Sequence, residues 1–137
     1  MFGRNTSWLT ALVVSTAALS GAHAQPSAEP ANVTPLLTKP LAGIEGKEAM
    51  MLTVEYAPGA SSAPHRHNAN TFVYVLEGAI VMQVAGGEPV TLTKGHTFYE
   101  SPSDIHSVSR NASKTERARI LVFFVKDEGA PSTMPAG

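Results

Sequence analysis

From Glu48 onward the apolar residues fall into short runs: AMMLTVEYA, TFVYVLEG, AIVMQVAGG, EPVTLTKG, HTFYES, DIHSVSRN and RARILVFFVKD. Turn signals separate them at Pro58-Gly59, Gly78, Gly86-Gly87, Gly95 and Pro102. Runs of this length, rich in Val, Ile, Thr, Tyr and Phe and bounded by Gly or Pro, predict strands. The fold class expected is all-β and antiparallel, with a jelly-roll barrel as the closed form. Successive side chains of a strand point to opposite faces, so Thr71, Val73 and Val75 share one face and Phe72, Tyr74 and Leu76 the other. If the strand is unbroken, His65 and His67 have the parity of Thr71, and both imidazoles aim into the interior.

The N-terminal pattern is different. One charged residue, Arg4, precedes the apolar run LTALVVSTAALS, and a small-x-small pattern follows at Ala22-His23-Ala24. These features predict a cleaved signal peptide over residues 1–24, and hence a periplasmic or secreted protein. No twin-arginine pair is present, which favours export before folding. The apolar run is shorter than the roughly 20 residues a membrane span needs, so no membrane association is expected after cleavage. Residues 25–47 carry several prolines and form a tether or edge segment, with Leu36, Leu37 and Leu41 as apolar footholds. The barrel is expected over 48–128 and a flexible C-terminal tail over 129–137.

Composition removes several classes of chemistry. The 137 residues are 43% hydrophobic and 15% charged, which fits one globular domain. There is no cysteine, so disulfides, thiolate metal sites and a cysteine nucleophile are excluded. A net charge of −1 with both signs interspersed provides no footprint for nucleic acid.

The candidate chemistry lies in histidines. His65 and His67 stand two apart between Gly59 and Gly78, and His106 follows in the run after Gly95 and Pro102. A closed barrel can bring a pair on one strand and a third on another together. Neutral imidazole is the commonest protein metal ligand, and three leave coordination positions open on Fe, Zn, Mn, Ni or Cu.

At these residues the chain resembles the cupin superfamily. The first cupin motif is a glycine, five residues, His-x-His, three or four residues, a glutamate, six residues and a glycine. Gly59, His65, His67 and Gly78 match it, but Thr71 stands at the glutamate position. In the second motif Gly95 and His106 match. Ser101 and Ser103 replace a proline and a glycine, and Asn111 lies one residue beyond the place of the motif's asparagine, which Arg110 occupies. The resemblance implies a divalent metal on His65, His67 and His106 without the usual carboxylate. Such a site keeps the ion's double charge and favours a bidentate anionic ligand such as an enolate, catecholate or hydroxy acid. Three-histidine cupins with dioxygenase activity hold Fe(II), so Fe(II) and an oxidoreductase are the implied cofactor and class. The alternative is a cupin that binds a small molecule or metal without turnover.

Three further residues bear on the site. Glu100 is the candidate catalytic residue, to orient an imidazole, bind a metal water or act as a base; its alternative is an exposed strand-end carboxylate. Arg110 shares the parity of His106 and could meet an anionic substrate, whereas His96, after Gly95, is expected at the surface. The row Phe72, Tyr74, Leu76 on the outer face predicts a homodimer through that sheet, with the N-terminal segment packed across it or covering it alone.

Overall fold

The computed structural model describes residues 31–137. The expected signal segment, and with it His23, lies outside the described residues. Those residues form eleven strands: β1 (Asn32–Pro40), β2 (Lys47–Tyr56), β3 (Ser61–Ser62), β4 (His65–Arg66), β5 (Asn70–Glu77), β6 (Ala79–Val84), β7 (Val90–Thr93), β8 (Thr97–Glu100), β9 (His106–Asn111), β10 (Ala118–Asp127) and β11 (Met134–Pro135). One sheet runs β1-β2-β10-β5-β8 and the other β11-β4-β9-β6-β7, with β3 also paired to β9. All pairings are antiparallel, as the strand pattern predicts.

The core sits between the sheets and follows from strict alternation. In β10 Ala118, Ile120, Val122, Phe124 and Lys126 are buried. Four of them stand opposite Tyr56, Val54, Leu52 and Glu48 of β2 in register. Val73 and Val75 extend this surface on β5, and Ile80 and Met82 of β6 belong to the same core cluster. Lys126 is the exception in chemistry but not in facing. Its ammonium pairs with Glu48 and donates to the Ala130 carbonyl, so neither charge is buried alone.

The inward face of the first histidine run survives a break in the strand. Asn68, with φ of 48°, interrupts the chain between β4 and β5, but His67 and Ala69 on either side are both buried. Thr71, Val73 and Val75 face inward and Phe72 and Tyr74 outward, while Leu76 is half-buried. The alternation therefore reads through the interruption.

Both chain ends depart from expectation in part. Residues 32–40 form an edge strand beside β2, with Pro35 at a shift in register, where an absent backbone donor costs no ladder bond. Leu36 and Leu37 are about half exposed and supply no foothold. In the order of its sheet β1 lies three places from β5, so it does not cross the Phe72 row. The C-terminal segment, expected as a flexible tail, instead adds β11 to the second sheet, with Met134 opposite Arg66 and Pro135 opposite His65. Nothing in APSTMPAG has the period of a strand; a ready-made edge at β4 recruits it.

Candidate metal centre

His65 stands directly opposite His106 across the β4–β9 pair, and His67 lies two residues along the chain from His65. The three ring centroids are 4.8, 5.0 and 6.5 Å apart, and one nitrogen from each ring lies within 4.8 Å of the other two. The structure thus brings together the three histidines that the sequence singles out. His67 leans on Phe124, with centroids 4.9 Å apart, and His106 stacks on Phe98 at 6.1 Å.

Backbone carbonyls choose which nitrogens face inward. Nδ1 of His65 lies 2.7 Å from the Ala63 carbonyl and Nδ1 of His67 lies 2.6 Å from the Ser132 carbonyl. A carbonyl accepts only, so each Nδ1 carries the hydrogen and each Nε2 keeps a lone pair for a metal. Ser132 has no signature in the sequence, because its contribution is a main-chain oxygen delivered by β11. Ending the chain at Ala130 should weaken metal binding by about 10–100-fold, the usual cost of losing a partner behind a ligand. Calorimetric titration with Zn²⁺ measures it, and far-UV circular dichroism unchanged from the full chain would separate the effect from unfolding.

Glu100, which could have been a solvated strand end, is inside, with its side chain 1% exposed. Its Oε1 is 3.1 Å from His106 Nδ1 and its Oε2 is 3.9 Å from His67 Nε2. Neither oxygen, and neither nitrogen of His106, completes a hydrogen bond of good geometry. Buried polar atoms are rarely left unpaired. A divalent cation beside the free Nε2 of His65 and His67 would satisfy a Glu100 oxygen and one His106 nitrogen, so the residues present fit the metal.

Burial pulls the His65 and His67 imidazoles below their ordinary value of 6.5; the carbonyls on their Nδ1 atoms partly oppose it. Both rings therefore stay neutral, and able to ligate, at pH values where a free histidine protonates. The sign for stability follows from linkage. Above pH 6.5 neither folded nor unfolded imidazoles bind protons and the contribution is full. As the pH falls through the lowered folded values it is lost, because the unfolded chain takes up protons first. The urea midpoint of metal-free protein should drop as the pH falls below 6.5, less steeply in H65A/H67A; equal slopes would contradict this.

Arg110 is a correction. It is exposed and lines no part of the cavity, because β9 carries a bulge. Gln83 pairs with Val108 but the next residue, Val84, pairs with His106, leaving Ser107 as the extra residue. A bulge inverts facing beyond it, so His106, Ser109 and Asn111 are buried and Arg110 points out. The same extra residue explains why the motif asparagine stands one place late. Asn111 reaches the interior and its amide donates to the Tyr56, Ala57 and Glu116 carbonyls. His96 is exposed, as expected.

The cavity these groups enter holds about 530 Å³. Leu52, Val54, Val73, Ile120, Val122 and Phe124 line its apolar part. The lining also holds a hydroxyl cluster: Tyr56 Oη is 2.9 Å from Ser62 Oγ and 2.7 Å from Ser109 Oγ.

A family profile described as "Cupin domain" matches residues 52–124, more than half of the chain. The chain belongs to the cupin family. No curated protein matches it in sequence. Among solved structures this cupin is similar to a recombinant oxalate oxidase in complex with glycolate, with TM-score 0.62, 24% identity, and 82% of this chain and 57% of that one covered. It is also similar to a double-stranded β-helix protein from Klebsiella pneumoniae, with TM-score 0.59, 19% identity and coverages of 78% and 85%. A third likeness is to the DMSP lyase DddQ from Ruegeria pomeroyi, with TM-score 0.56, 17% identity and coverages of 64% and 43%. The cupin described here spans less than half the length of that lyase. At these identities the likeness establishes the double-stranded β-helix fold.

Proposed function

We propose that this cupin is a metal-dependent dioxygenase acting on a small bidentate anionic substrate, an enolate, catecholate or hydroxy acid. The observation that carries the reading is the convergence of three imidazoles, two with Nδ1 held by carbonyls, on an apolar cavity of about 530 Å³. His65, His67 and His106 hold one divalent ion, Fe(II) in the active form, which supplies a site where substrate and O₂ meet. Among the described residues no lysine or arginine lines the cavity, so the metal answers the substrate's charge. The hydroxyls of Tyr56, Ser62 and Ser109 offer polar contacts, and the apolar walls take a hydrocarbon body. Glu100 acts at the metal, on the ion or on water bound to it. Structural neighbours that carry enzyme names, oxalate oxidase and DMSP lyase, support turnover over capture.

The test is oxygen uptake by Fe(II)-loaded protein across a panel of 1,3-diketones, catechols and hydroxy acids. Uptake that depends on both Fe(II) and one compound class supports the reading. A compound that binds and is recovered chemically unchanged overturns it in favour of a non-catalytic binding protein.

Two accompanying proposals concern the molecule's setting. Phe72, Tyr74 and Tyr99 are each about half exposed on the outer face of β5 and β8, with the Phe72 and Tyr99 rings 5.3 Å apart, which supports a homodimer through that face. A monomer mass by light scattering at micromolar concentration would overturn it. Export rests on residues 1–24, and Gln25 as the first residue on N-terminal sequencing of the protein from its periplasm or culture medium is the expected result.

A further inference from the structure

The glutamate missing from the first histidine motif has a counterpart elsewhere. Thr71, which stands in its place, is fully buried and faces the cavity. Its cross-strand partner in β8 is Glu100, in direct register. Directly opposed residues on one face have Cβ atoms about 4.5–5.5 Å apart, so a carboxylate on either strand can project into the same space. Glu100 projects there: both its oxygens lack hydrogen-bond partners, and Oε2 is 3.9 Å from His67 Nε2.

We infer that Glu100 is a direct fourth ligand of the metal, moved from the usual strand to the neighbouring one, and that the site is a three-histidine, one-carboxylate centre. Two donors bound to one ion at about 2.1 Å each lie no more than about 4.2 Å apart, and the Oε2 to Nε2 distance falls inside that limit. The carboxylate's other oxygen stays beside His106 Nδ1. A buried carboxylate without hydrogen bonds is costly unless it is paired or coordinates a metal, and among the described residues the cationic partners beside it are a protonated ligand histidine or the ion that the histidines would hold.

A change in substrate class follows. Three imidazoles and one carboxylate reduce the charge at the centre from two to one. The ion then retains fewer open positions and a smaller pull on dianions, so the site selects a singly charged chelator with an apolar body over a small dicarboxylate. The inference rests on the metal reading under the proposed function, but not on turnover.

The test is Co²⁺ titration of the full chain by calorimetry and visible absorption, comparing wild type with E100A, E100Q, T71E/E100A and T71E. E100A should bind Co²⁺ on the order of 100-fold more weakly and shift the ligand-field bands. T71E/E100A, which returns the carboxylate to the usual strand, should recover affinity to within about 10-fold. E100Q separates ligation from positioning: its amide keeps the shape of the side chain beside His106 Nδ1 but is uncharged and a far weaker ligand, so wild-type affinity in E100Q would overturn the inference. Wild-type affinity in E100A, or no recovery in T71E/E100A, would overturn it as well. If E100A does not fold by circular dichroism, the near-isosteric E100Q carries the comparison. A wild type that takes up no Co²⁺ defeats the metal reading and this inference together. A wild type that binds Co²⁺ through Glu100 yet consumes no oxygen defeats only the dioxygenase.

Discussion

Changing His65, His67 and His106 together to alanine should abolish the rise in melting temperature that Zn²⁺ gives the wild-type protein. Binding to the folded state alone stabilises it by about 2.7 kcal/mol when free metal is 100 times the dissociation constant. The three imidazoles carry the lone pairs that make that binding possible. Losing a partner behind a ligand already costs about 10–100-fold in affinity, so losing the ligands themselves should exceed the upper end of that range. The metal-free variant should still fold, since none of the three rings belongs to the main apolar cluster of Leu52, Val54, Val73, Val75, Ile120, Val122 and Phe124. A Zn²⁺-dependent shift that persists in the triple variant would show that the ion sits elsewhere.

The second large effect concerns Gly78, the last glycine of the first histidine motif. It sits between β5 and β6 with φ of 71°, and a Cβ there would lie 2.4 Å from the Arg117 carbonyl oxygen and 2.9 Å from Ala118 Cα. Both atoms are backbone at the entrance to the central strand β10, so no side chain can move aside. An L-residue in this conformation costs about 1–2 kcal/mol, and forcing atoms into packed structure about 1–3 kcal/mol. Gly78→Ala should therefore lose about 2–5 kcal/mol, a large share of the roughly 5–15 kcal/mol that holds a domain folded. Gly86 is the control: its φ is 84°, but nothing lies within 4 Å of its Cβ position. Gly86→Ala should cost only the conformational part. Equal urea midpoints for the two variants would refute the close-approach explanation of the motif glycine.

The candidate site was partly legible because its rules are local. His65 and His67 share a face by a spacing of two, and the parity of Thr71, Val73 and Val75 against Phe72 and Tyr74 follows from the same period. The break at Asn68 hides nothing, because both of its flanks stay buried. Arg110 was misplaced by the same rule, since a single extra residue at Ser107 inverts every facing after it. No residue type marks that bulge. The late position of Asn111 is its one trace in the sequence, and it acquires meaning only when the β6–β9 register is known.

By itself the sequence determined the all-β class, the two histidine-bearing segments, the absence of thiol chemistry and the cupin resemblance. Each depends on residue type or on spacing within one strand, where covalent geometry leaves little choice. The tertiary structure decided what depends on pairing between distant strands. It set His65 opposite His106 and Thr71 opposite Glu100, and it turned the last residues from an expected tail into β11, whose approach puts the Ser132 carbonyl behind His67. Sheet register is a property of two segments at once, fixed by packing and by bulges, so a period read along one segment cannot contain it.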